Sequence, residues 1–124
     1  MKLSNLSILS ILSLTSSTAY ASPSGSCYNV QGPAGNPTLA MAQIEDLCKN
    51  WKGPTTPKSL SYGCRPVGSV YYEIASGNKG DVEAIANKDA CREIYKAALA
   101  CPKGGDFVDG TWRVIVVVKD TPCN

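Results

Sequence analysis

Thr111-Trp112-Arg113-Val114-Ile115-Val116-Val117-Val118-Lys119 carries the strongest strand signal in the chain. β-Branched residues fill its centre, and the turn dipeptide Asp109-Gly110 precedes it. At a side-chain period of two, Trp112, Val114, Val116 and Val118 share one face, and Arg113, Ile115, Val117 and Lys119 share the other. The first face is apolar throughout and is expected to lie beneath helices. The second has basic ends and an apolar middle, Ile115 and Val117, where water is expected.

Working back from this strand, Pro102 and Gly104-Gly105 end a helix whose apolar side is Cys91, Ile94, Tyr95, Ala98 and Leu99, capped by Asn87 or Asp89. Asp81–Ala86 reads as the second arm of a hairpin, with the start of a longer helix as the other reading. Ser76–Gly80 reads as its turn, and Val67–Ala75, with Val-Tyr-Tyr-Glu-Ile at its centre, as the first arm. Residues 52–66 are rich in Pro, Thr, Ser and Lys and read as a loop pinned by Cys64. Asn36-Pro37 offers an N-cap and a first-turn proline. Met41, Ile44, Cys48 and Trp51 then recur at helical spacing, predicting a helix over 37–51. Cys27-Tyr28-Asn29-Val30 is a short β-prone segment ended by Gly32-Pro33.

The resulting order is β-α-β-β-α-β. Connection rules fold it most simply into an α+β, ferredoxin-like split β-α-β sandwich, with two helices on one face of a four-stranded antiparallel sheet.

The N-terminus reads as a leader. Met1-Lys2 is a positive start, Leu3–Leu14 is apolar but for serines and one Asn, and Ala19-Tyr20-Ala21 fits a signal-peptidase site. Residues 1–21 are therefore expected to be cleaved and 22–124 to form one secreted, extracellular domain. All six cysteines, Cys27, Cys48, Cys64, Cys91, Cys101 and Cys123, follow the cut. An even number on an oxidising route predicts three disulfides, which for so short a chain are a large share of its stability.

Fifteen pairings are possible. Cys91 and Cys101 stand ten residues apart on one expected helix, about 15 Å, which excludes their pairing. Neighbouring first and last strands favour Cys27–Cys123, and antiparallel helices make Cys48–Cys91 plausible.

Composition narrows the function. The chain has 12 basic and 10 acidic residues and no histidine. A surface so balanced carries no nucleic-acid footprint. Nothing after residue 21 approaches the roughly 20 apolar residues of a membrane span. Lack of histidine removes Ser-His-Asp and Cys-His machinery. Cysteines never closer than ten positions do not resemble zinc ligands. No cofactor or metal is expected. Carboxylate pairs for glycoside hydrolysis could be drawn from Asp106 with Asp109, or Glu73 with Glu83, but solvated surface charge is the preferred reading. The expectation is a protein that is not an enzyme.

The leader ending Ala19-Tyr20-Ala21, the length, the six cysteines and the element order together resemble small secreted cysteine-rich proteins of fungi. Among these the chain is similar to the killer-toxin-like α/β sandwich group. That resemblance implies secretion into host tissue, such as the plant apoplast, and either perturbation of plant immunity or toxicity to competing microbes. A processed toxin would show dibasic sites, and the chain has no Lys-Arg or Arg-Arg pair, which favours an effector. Its partner is expected to be a host protein or polysaccharide. The candidate surface is Ile115, Val117, Tyr71, Cys64 and Arg65, on the helix-free sheet face or the adjoining loop; that face could also join two copies in a homodimer. A secreted hydrolase inhibitor would use the proline-rich segment 53–66 as its loop.

Overall fold

The computed structural model of the protein describes residues 23–124. The expected leader, residues 1–21, and the cut before Ser22 lie outside them. The domain has a mixed α/β fold: an antiparallel sheet, a helical layer on one of its faces, and three disulfides with no free cysteine among the described residues.

The strands are β1 Ser24–Cys27, β2 Gly53–Thr55, β3 Ser59–Val67, β4 Val70–Asn78, β5 Ala84–Ala86, β6 Gly104–Asp109 and β7 Trp112–Lys119. The helices are α1 Pro37–Met41, α2 Ile44–Cys48 and α3 Lys88–Leu99. Five strands form the main sheet in the order β1-β6-β7-β4-β3, and β2 and β5 form a separate ribbon. β7 lies where its composition places it, at the centre. Its inner face, Trp112, Val114, Val116 and Val118, is buried. There it meets Ile94, Tyr95, Ala98 and Leu99 of α3, together with Ile44 and Ala40.

The helix ends follow their sequence signals. Asn87 caps α3, its Oδ1 accepting from the Ala90 amide at 2.8 Å. Asn36 caps α1, accepting from the Leu39 amide at 3.1 Å, with Pro37 in the first turn. The expected single helix over 37–51 is instead two short ones. At the break the Gln43 amide bonds to the Ala40 carbonyl, one residue tighter than an α-helical turn. Ala40, Ile44 and Cys48 still follow one buried stripe, so the interruption leaves the packing face intact.

The strand order departs from the split β-α-β expectation. Residues 104–109, expected only to end a helix, form β6, which inserts between β1 and β7. Gly104 makes this close fit possible: its φ is +87°, and a Cβ there would collide with the Val116 carbonyl. The loop expected over 52–66 is largely strand. β3 pairs along its whole length with β4, and β2 pairs with β5, so Asp81–Ala86 is not the partner of the strand before it. Pro66 misled by composition; β3 is an edge strand, where proline is tolerated.

The inserted strand also corrects the disulfides. Cys27 cannot meet Cys123 with β6 between their strands. It bonds Cys101, just past α3, at a Cα separation of 5.2 Å. Cys123, beyond β7, crosses to Cys64 on β3, and Cys48 pairs with Cys91 as its helix position suggests. Beside that bridge Arg92 reaches Glu45 through two hydrogen bonds of 2.8 and 3.0 Å, tying α2 to α3 a second time.

Two buried polar groups stand out. Asn78, fully buried, donates to the carbonyls of Thr55 and Val82 and accepts from the Gly80 amide and the Thr111 hydroxyl. The Tyr72 hydroxyl meets no hydrogen-bond partner and lies against Gly35. Burial pushes its pKa up, and the Asn36 backbone beside it eases this only in part.

Candidate functional site

The face of the sheet that carries no helices is built row by row from the strand register. One row reads Leu60, Gly77, Arg113 and Val108; the next reads Tyr62, Ala75, Ile115 and Asp106. The third is Cys64, Glu73, Val117 and Gly104, and the last Pro66, Tyr71 and Lys119. The middle of this surface is apolar. Tyr62 is 68% exposed, Leu60 41% and Val117 40%, while Ile115 and Ala75 are half-buried between them. Within the stretch expected as a loop over 52–66, the residues from Ser59 onward extend the sheet as β3, and Gly53–Thr55 joins the separate ribbon.

Two ion pairs frame the apolar middle. Arg113 forks onto Asp106 through hydrogen bonds of 3.0 and 2.5 Å, and Lys119 donates to Glu73 at 2.6 Å. The Arg113 guanidinium holds the Asp106 carboxyl below its ordinary range. Lys119, and after it the Tyr62 hydroxyl, do the same for Glu73. These charges are satisfied within the surface, so a partner meeting it need not supply counter-charges at those positions.

Of the five expected surface residues, Ile115, Val117, Tyr71 and the disulfide-bonded Cys64 lie on this face. Arg65 does not. It pairs in register with Tyr72 on the opposite face, where its guanidinium donates to Gln43 at 3.0 Å and to Asp46 at 2.8 Å. Leu60, Tyr62 and Val108 were missed. The alternation of Leu60, Tyr62, Cys64 and Pro66 against Ser59, Ser61, Gly63 and Arg65 is a strand period that could have found the first two.

The carboxylate pairs are not assembled. Asp106 and Asp109 are three positions apart in one strand and face opposite sides of the sheet. Glu73 is engaged by Lys119, and Glu83 lies outside the strands that pair with β4. No grouping of side chains suited to a metal occurs among the described residues. No helix among them is long and apolar enough to cross a membrane. No protein-family model matches the chain, and no curated protein matches it in sequence.

Proposed function

We propose that the protein is a secreted, non-enzymatic effector of a plant-associated fungus, akin to the killer-toxin-like α/β group, that acts by binding a host protein through its helix-free sheet face. The observation that supports this best is the exposed apolar strip of Leu60, Tyr62, Val117 and Ile115 framed by the Arg113–Asp106 and Lys119–Glu73 pairs. Apolar area held in water forgoes about 25 cal/mol per Å² of burial, and a contiguous patch of it marks a contact surface. The three disulfides fit an oxidising destination. The segment expected to be an inhibitor's loop is strand over Gly53–Thr55 and from Ser59 onward, which favours the effector reading over the inhibitor one.

Purified wild type and Ile115→Lys, applied in parallel to plant leaves and to fungal cultures, test this reading. A leaf response that the lysine variant loses while remaining folded is the expected result. Growth inhibition of the cultures without a leaf response would instead identify an antimicrobial toxin. A fully active lysine variant would remove the sheet face from the account.

A further inference from the structure

On the opposite side of the sheet, where β3 runs out beyond the helical layer, lies a groove of about 520 Å³. It exists because the inward positions of β3 are small: Ser59, Ser61 and Gly63 stand opposite Asn78, Ser76 and Ile74. Trp51, Trp112 and Tyr95 line it together with Ser61, Ser76 and Arg65.

We propose that this groove binds a neutral carbohydrate, one or two sugar rings in size. Three features select that class. First, the aromatic wall is rigid. Trp51 packs against Trp112 at a centroid distance of 5.1 Å and edge-on to Tyr95 at 6.2 Å, and it stays half-exposed. A half-exposed indole held by two aromatic neighbours and lining the groove suits the C–H face of a pyranose.

Second, the groove is edged with hydroxyls. Ser76 accepts from the Tyr95 hydroxyl at 2.9 Å and keeps its own proton to donate; Ser61 lies beside it across the strand pair. A hydrocarbon ligand would strip water from these groups and return no hydrogen bond, whereas sugar hydroxyls both donate and accept. Third, the charges at the rim are already spent. Asp46 takes Arg65 at 2.8 Å and Lys49 at 2.9 Å, so an anionic ligand would compete with a carboxylate for both cations. The volume falls in the usual range for small-ligand sites.

The groove and the sheet face lie on opposite sides of the sheet, so this inference does not rest on the effector reading. The chain has two tryptophans, and both line the groove, so intrinsic fluorescence reports on it directly. The probes are cellotriose, xylotriose, mannotriose and chitotriose, with trigalacturonic acid as the anionic comparison, each titrated to about 10 mM, beyond the weak affinity expected of so small a ligand.

A saturable change in emission with at least one neutral trisaccharide is expected, and Val117→Lys should keep it. Gly63→Phe should abolish it. A Cβ at Gly63 meets no atom within 4 Å, so the ring can fill the groove without displacing the fold. Ser61→Ala should weaken binding about five-fold, the loss of one hydrogen bond. No saturable response to any neutral probe, or a response to trigalacturonic acid alone, would overturn the proposal. So would an unchanged response in a folded Gly63→Phe. Should that variant unfold, unchanged affinity in Ser61→Ala would overturn it.

Discussion

Asn78 shows how much a single side chain can organise here. Its amide closes four hydrogen bonds that join β2, the segment after β4 and the residue before β7. Asn78→Ala removes four hydrogen bonds made from a fully buried position and leaves the Thr55 and Val82 carbonyls without their donor, so it should cost about 2–4 kcal/mol in urea unfolding. Thr111→Val, which removes one bond, should cost about 1 kcal/mol. Equal stabilities for wild type and Asn78→Ala would refute this role. Nothing in the sequence announced it: Asn78 reads as a turn residue, because its partners come from three separate stretches of chain. The ion pairs on the sheet face contribute to the acid limit, beside Glu45, which Arg92 holds below its ordinary range, and Asp46, which Lys49 and then Arg65 hold below its own. Folding lowers the carboxyl pKa of Glu73 from 4.5 and of Asp106 from 3.8. The contribution of these two is therefore complete above those ordinary values and lost as pH falls through the lowered ones. Stability should hold from neutral pH to about pH 4.5 and then decline. In Lys119→Met, which takes away the main cause of the Glu73 shift, the decline should be shallower. A variant profile parallel to that of wild type would contradict the assignment.

At the scale of elements, legibility followed the strength of local pattern. β7 and α3 were readable because each repeats its own period over eight or more residues and carries a clear turn or cap. β6 was hidden because its opening Gly104-Gly105 reads as a helix stop. β3 was hidden because serines, a glycine and a proline dilute its alternation. These two omissions account for the wrong strand order and for the expected Cys27–Cys123 bridge. The candidate site divided in the same way: Ile115 and Val117 follow from β7 alone, whereas the sidedness of Arg65 required β3. Peptide mapping under non-reducing conditions should recover Cys27–Cys101, Cys48–Cys91 and Cys64–Cys123; a Cys27–Cys123 peptide would contradict the insertion of β6. The bridges span 74, 43 and 59 positions. In the chain-entropy account, replacing the cysteine pair of any one bridge by serines costs about 4 kcal/mol, with differences among the three bridges of only about 0.5 kcal/mol.

At the scale of the whole molecule, the sheet separates two surfaces of different chemistry. Helices cover most of one face and leave a hydroxyl-edged aromatic groove where β3 extends past them. The other face carries an apolar strip bounded by internally satisfied charges. The effector reading requires that the second face be open in solution, and Val117 tests this with least ambiguity. It is 40% exposed, while its neighbour Val116 is fully buried on the helix side. The decisive measurement is the melting temperature of Val117→Lys beside that of Val116→Lys. With the face uncovered, Val117→Lys melts within a few degrees of wild type, and Val116→Lys, which buries an unpaired charge, fails to fold or melts far lower. Comparable losses in the two variants would mean that the sheet face is covered, and would contradict the account.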